Sequence, residues 1–127
     1  MSRIRLTAVA MVATAGAAFA WGGPSPAEGK TKLKLKQVKM YDNYYSPAKL
    51  TVKVGQPVQW VWPADVGDSH DVKVKSAPAG AKKFASPPFA SAAKWPRPPL
   101  TFKKSGTYKL FCTFHETEMT MTITVKK

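Results

Sequence analysis

The chain has 127 residues, and its 20 Lys and Arg against seven Asp and Glu give a formal net charge of +13 at pH 7. Its single cysteine excludes an internal disulfide bond. The length allows one small domain after an N-terminal segment is set aside, and a domain of that size can fold alone. The charge bears on solubility and on partners, and it does not select a fold.

The first 20 residues predict a secretory signal peptide. A basic start, "MSRIR", precedes a run rich in alanine, and "AFA" ending at Ala20 matches a signal-peptidase site. The apolar run is shorter than the roughly 20 residues that span a bilayer. We therefore expect an exported protein (periplasmic, cell-envelope or secreted) with no integral membrane span in the mature chain. The alternative is a retained signal that anchors it. Residues 21–31 predict a flexible leader, which leaves one domain over 32–127.

The rest of the chain predicts short strands, because apolar and polar residues alternate with a period of two. Strands are expected at 32–40, 50–54, 58–62, 70–75, 100–102, 107–114 and 119–125. In the first of them the alternation slips near Gln37, which predicts a bulge. The proline-rich stretch 77–99 predicts an irregular crossing segment with an edge strand only near Lys83–Ala85. Strands of this number and spacing predict an all-β sandwich.

The lysines fall on the outward-facing positions of nearly every strand. They are spread along the chain and do not form one basic run, so they are typical of solvated sheet faces and protected edges. This distribution disfavours a dedicated polyanion site, and we expect no nucleic-acid partner.

Four side chains at strand ends form a candidate metal site. The alternation places His70, Cys112 and Met119 on the inward side of their strands, and His115 follows Cys112 across a turn. Taken singly, a buried cysteine is a small apolar residue and a methionine fills a core. Imidazole, thiolate and thioether together suit copper in both oxidation states, and two His, one Cys and a weak axial Met are the ligands of blue-copper electron-transfer sites.

Met121 faces inward as well, so two methionines compete for the axial position. Met119 is favoured because it adjoins the loop, whereas Met121 lies about 7 Å deeper, two strand rises of roughly 3.4 Å.

Three segments resemble the cupredoxins, the blue copper proteins, of the plastocyanin type. They are "YYSPAKLTVKVGQPVQWVW", "DSHDVKV" and, the most specific, "FKKSGTYKLFCTFH", and the resemblance extends from Tyr44 to Lys126. It implies a Greek-key β-sandwich of about eight strands that binds one copper ion, Cu(I) or Cu(II), and carries single electrons. It also implies that His70, Cys112 and His115 are equatorial ligands and Met119 the axial one.

The resemblance implies a function as well as a fold. The His115 ring edge would be exposed and would pass the electron, so we expect redox partner proteins to dock at that end of a monomeric, non-enzymatic carrier. Two departures stand out. Asp71 takes the place of the family's common Asn after the first histidine, and the usual Pro after the loop histidine is missing.

Acidic residues cluster in sequence around the candidate ligands. Five of the seven lie there: Asp65, Asp68 and Asp71 beside the first histidine, and Glu116 and Glu118 before the methionine. This pattern predicts an acidic, copper-bearing end on a cationic body. The simpler interpretation is that loops are polar.

Three other functions remain open. A copper-delivery protein of the same fold would bind the metal without using its redox chemistry. A hydrolase using Cys112 as nucleophile is disfavoured, because that chemistry needs an accessible thiolate beside an oriented base and Cys112 is expected to face the core. A metal-free basic module of the cell envelope is the third.

Overall fold

Eight strands form two four-stranded sheets in the computed structural model, which describes residues 32–127. The predicted signal peptide (1–20) and leader (21–31) lie outside the described residues. The strands are β1 (Lys36–Tyr41), β2 (Tyr44–Ser46), β3 (Lys49–Lys53), β4 (Pro57–Trp62), β5 (Lys73–Ser76), β6 (Ala93–Thr101), β7 (Gly106–Phe111) and β8 (Thr120–Lys126). Across residues 32–127, no helix has the length and apolar character needed to cross a membrane.

The first sheet has the order β2-β1-β4-β6 and the second the order β3-β8-β7-β5. The pairs β1–β4 and β3–β8 are parallel, and the other neighbours are antiparallel. The prediction of an all-β sandwich is therefore confirmed.

The core lies between the sheets and follows the predicted alternation. In β8 the inward residues Met121, Ile123 and Val125 are buried. The largest fully buried side chains include Trp60 and Trp62, which share one face of β4. Burying each large apolar side chain stabilises the fold by about 1.5–3 kcal/mol, so the alternation in the sequence largely determines which face of each strand turns inward.

The first strand departs from its prediction. It begins at Lys36 instead of residue 32, and its parallel register with β4 runs without interruption from Lys36 to Lys39. The bulge expected near Gln37 is therefore wrong, because the slip in the pattern marks the approach to the strand. A register shift occurs instead between β4 and β6, at Val58 and Trp60.

The proline-rich stretch also departs from its prediction. Residues 93–101 form β6, the longest strand, whereas Lys83–Ala85 contributes only an isolated bridge from Ala85 to Lys73. The irregular segment predicted here is therefore wrong over residues 93–99. Proline cannot donate to a ladder, which excludes a central strand. However, β6 pairs only with β4, at the edge of the first sheet, and edge strands tolerate proline.

Three strand ends meet at one end of the second sheet. Lys73 at the start of β5 pairs with Phe111 at the end of β7, and Phe111 also pairs with Thr120 at the start of β8. We call this region the ligand end, since every candidate ligand lies just outside one of these strands.

Candidate metal centre

The loop between β7 and β8 is closed by its own backbone hydrogen bonds. The Cys112 N–H donates to the Met119 carbonyl at 3.0 Å, and the Met119 N–H donates to the His115 carbonyl at 2.9 Å. The His115 N–H donates back to the Cys112 carbonyl at 3.2 Å. These bonds hold the three loop residues around one point. Cys112 and Met119 are fully buried there, and His115 is half-buried.

His70 is held by the loop between β5 and β6 and by β4. It exchanges two backbone hydrogen bonds with Phe89, at 3.0 and 3.1 Å. Its carbonyl also accepts the indole N–H of Trp62 at 2.9 Å. The His70 side chain is fully buried, so a residue 42 positions before Cys112 is fixed beside it.

The three strongest candidate ligands converge. The Cys112 Sγ lies 3.9 Å from the His70 Nδ1 and 3.8 Å from the His115 Nδ1. One ligand atom from each of these residues lies within 4.8 Å of the others, and the two imidazole rings have centroids 5.0 Å apart. The fold thus brings together the two histidines and the cysteine that the sequence analysis grouped as ligands.

These distances fit a metal in a trigonal plane. Bonds of about 2.3 Å to sulfur and about 2.0–2.1 Å to nitrogen, as for zinc, would separate Sγ from Nδ1 by about 3.8 Å at an angle of 120°. A tetrahedral angle would bring the same atoms to about 3.6 Å. The sulfur–nitrogen distances therefore allow Cys112 and both histidines to bind one metal ion.

The protonation of Cys112 bears on metal uptake. Burial raises the pKa of the Cys112 thiol, opposed in part by backbone N–H groups including that of Asp71, which donates to Sγ at 3.5 Å. A metal ligand must be the thiolate, so loading the centre releases the thiol proton.

The two methionines occupy different places. Met119 precedes β8, and its backbone is bonded to both Cys112 and His115. Met121 lies within β8 opposite Leu110 and is buried in the core.

Asp71 ties the two ligand-bearing segments together. Its carboxylate accepts the Thr113 N–H at 2.7 Å and the Thr113 hydroxyl, and its carbonyl accepts the Tyr45 hydroxyl at 2.8 Å. The alternation places Asp71 on the outward face, yet it is only 8% exposed, because both carboxylate oxygens are used within the loop. Asp71 therefore braces the centre and adds little to an acidic surface.

Asp42 is a residue of the centre that the sequence analysis missed. It lies in the turn between β1 and β2, and its Oδ1 is 3.0 Å from the His70 Nε2, although the two residues are 28 positions apart. An Asp-Asn pair between two strands is a turn signal, but only the parallel pairing of β1 with β4 brings that turn to the ligand end.

The sequence of the domain that contains this centre matches a family model. Residues 30–126 match the model of the copper binding proteins, plastocyanin/azurin family. The chain belongs to this family. Copper is accordingly the metal that suits the cluster of His70, Cys112 and His115. A search of curated proteins found no match.

Solved structures resemble the described domain. A reduced variant of amicyanin is 26% identical, with a TM-score of 0.59, over 80% of this chain and 90% of its own. The copper-containing nitrite reductase of Thermus scotoductus SA-01 is 25% identical, with a TM-score of 0.61, over 74% of this chain. This cupredoxin spans only 23% of that enzyme's chain. Pseudoazurin of Methylobacterium extorquens AM1, 21% identical with a TM-score of 0.58 over 74% of this chain and 76% of its own, shows the shared fold.

Proposed function

We propose that this cupredoxin is an exported one-electron carrier. Its copper ligands would be His70, Cys112 and His115, with Met119 in the axial position. The observation that carries the proposal is the asymmetry of the donor cluster. Three donors are fully buried and held by backbone hydrogen bonds, whereas His115 alone is half-buried. Bound copper would supply a one-electron couple between Cu(I) and Cu(II).

The surrounding chain suits electron transfer because it resists rearrangement. Cys112, His115 and Met119 are linked to one another through their backbones, and His70 is bonded to Phe89 and Trp62. A cluster fixed in this way keeps nearly one geometry in both oxidation states, so little has to move when the charge changes. The half-buried ring of His115 then provides the contact with a partner.

The partner would dock around His115. The adjacent Phe114 is 53% exposed, which offers an apolar contact beside the ring. The other acids predicted near the ligands are exposed: Asp65, Asp68, Glu116 and Glu118. We call these four residues the acidic rim. A locally basic redox partner would complement the rim, and the monomer would carry electrons without catalysing a reaction of its own. The match to a nitrite reductase covers 23% of that enzyme's chain, so it supports the shared fold and gives no support to an enzymatic role.

Addition of Cu(II) to the purified protein tests this proposal. We expect an intense visible absorption from the Cu–thiolate bond and, in protein-film voltammetry, fast reversible one-electron exchange. Cys112→Ser is the matched control and should lack the absorption while keeping the fold. A wild-type protein that stays colourless would contradict the proposal and favour a metal-free module. Ready loss of copper to a chelator, with slow electron exchange, would favour copper delivery.

Two further measurements address the remaining alternatives. Copper should block alkylation of Cys112, because a thiolate bound to the metal is unavailable; alkylation that is unaffected by copper would favour a nucleophilic role.

Export should leave a mature chain that begins at residue 21, which the intact mass of the protein recovered from its native envelope would report. Recovery of the unprocessed mass would instead indicate a retained anchor.

A further inference from the structure

The two ring nitrogens of His70 face different partners. Nδ1 is 3.9 Å from the Cys112 Sγ, and Nε2 is 3.0 Å from the Asp42 Oδ1. A nitrogen that binds a metal must be unprotonated, so the proton of a neutral His70 ring belongs on Nε2. From there the N–H can donate to the Asp42 carboxylate. The contact thus specifies which tautomer His70 adopts and in which direction its ring points.

The Asp42 carboxylate is itself held in place. The backbone N–H of Gly67 lies 3.2 Å from both carboxylate oxygens, and the N–H of Asp68 lies 3.2 Å from Oδ1. The side chain is 48% exposed, yet its position is set by three donors from one loop, at Gly67, Asp68 and His70.

A glycine allows this approach. A Cβ at Gly67 would lie 3.1 Å from the Asp42 Oδ2, which is close enough to displace the carboxylate by a few tenths of an ångström. The loop backbone therefore reaches Asp42 because residue 67 lacks a side chain. The Asp42 contact is consequently built from both the β1–β2 turn and the loop that leads to His70.

We propose that Asp42 is a positioning residue of the copper centre, whose carboxylate orients the His70 ring and makes it a stronger donor to Cu(II) than to Cu(I). The proposal rests on His70 being a ligand, as in the proposed function. A carboxylate that accepts the second N–H of a metal-bound histidine fixes the ring and raises its basicity, and losing such a partner commonly lowers metal affinity 10–100-fold. A more basic ligand favours the more highly charged ion, so Asp42 lowers the reduction potential.

His115 provides an internal contrast. Among residues 32–127, no side chain makes a hydrogen bond with its Nε2, and the ring is half-buried. The carboxylate partner is thus on the fully buried histidine and not on His115.

Asp42→Asn tests the proposal against Asp65→Asn. Both changes remove one negative charge, from Asp42 beside His70 and from Asp65 five residues before it in the chain, but the exposed Asp65 makes no hydrogen bond with a candidate ligand among the described residues. Relative to Asp65→Asn, we expect Asp42→Asn to lose Cu(II) affinity at least tenfold more than Cu(I) affinity. For a one-electron couple this is a rise in potential of about 59 mV. Asp42→Glu should restore part of the difference, and Gly67→Ala should shift the potential in the same direction by less.

A second measurement needs no variant. In the diamagnetic Cu(I) protein, the Nε2–H of His70 should give a nitrogen-bound proton signal that exchanges with solvent more slowly than that of His115. Equal potentials for Asp42→Asn and Asp65→Asn would overturn the proposal, and so would equal exchange rates of the two imidazole protons. If the wild-type protein shows the Cu–thiolate absorption while these results fail, the role of Asp42 alone is wrong. A wild-type protein that binds no copper would overturn both this proposal and the proposed function.

Discussion

The two histidines of the copper centre occupy opposite environments. His70 is fully buried, its backbone is bonded to Phe89 and Trp62, and its ring contacts Asp42. His115 lies in the loop between β7 and β8, is half-buried, and follows the exposed Phe114. One ligand is enclosed and bonded to two neighbouring segments, and the other lies partly open in its own loop. The difference separates the ligand that the fold encloses from the ligand that solvent can reach.

Replacing each histidine by glycine gives the largest contrast. We expect both His70→Gly and His115→Gly to lose the Cu–thiolate absorption, because each removes one donor of the trigonal set. Added imidazole should restore the absorption in His115→Gly, where the vacated position opens towards solvent. It should not restore it in His70→Gly, where the vacated position is enclosed. Absorption spectra recorded during an imidazole titration check this, and equal recovery in both variants would contradict the comparison.

The two methionines allow a second test. Because Met119 is the proposed axial ligand, Met119→Leu should raise the potential, since losing its thioether disfavours the more highly charged Cu(II). A tenfold change in the Cu(II)-to-Cu(I) affinity ratio would appear as about 59 mV. Met121→Leu is the matched control. It changes the core by a volume-conserving substitution that costs less than about 1.5 kcal/mol, and it should leave the potential unchanged. A shift in Met121→Leu alone would reassign the axial ligand.

Substitutions of two tyrosines compare the contribution of the ligand end to stability with that of the rest of the sandwich. Burial raises the pKa of both, and each hydroxyl donates to a backbone carbonyl: Tyr45 to Asp71 and Tyr108 to Lys104, both at 2.8 Å. Tyr45→Phe leaves the Asp71 carbonyl without that donor and should lower the free energy of unfolding by about 1–3 kcal/mol.

Tyr108→Phe serves as the control for Tyr45→Phe, because it removes a similar bond away from the candidate ligands. We expect a comparable or smaller loss of stability in denaturant unfolding. The Cu(II) spectrum should broaden only in Tyr45→Phe, since Asp71 adjoins His70 and braces the Cys112 loop. An unchanged spectrum in both variants would mean that the Tyr45 contact stabilises the fold without constraining the centre.

The acidic rim should produce the smallest effect. Glu116→Gln together with Glu118→Gln removes two exposed charges beside His115. With a basic redox partner we expect a few-fold slower transfer at low salt and a weaker salt dependence, because rim charges act mainly on association rates. Stopped-flow measurements over a salt series check this. If both the potential and the salt dependence match the wild type, the rim is simply polar loop surface.

The alternation of residues revealed much of the centre in advance. It placed His70, Cys112 and Met119 on inward positions, and all three are fully buried. It succeeded because a two-residue period directly encodes which face of a strand meets the core. The same argument failed for Asp71, because a carboxylate with two local donors can be buried at an outward position.

The remaining errors have a common cause. Both errors depend on which strands are neighbours. Strand order places β6 at a sheet edge, and it also places Asp42 beside His70. That information is not contained in the pattern of any single segment. Proline in β6 is acceptable only because one side of the strand is unpaired, and Asp42 reaches His70 only because β1 lies beside β4.

The proline-rich edge strand has a consequence for how copies of the protein meet one another. An unpaired strand edge can recruit the edge of another chain, and β6 has nine residues, more than any other strand. Three of them, Pro96, Pro98 and Pro99, have no backbone N–H to offer a newcomer. Lys94 and Arg97 add positive charge along the same edge. The prolines and the positive charge therefore both oppose pairing of this edge with the same edge of a second copy.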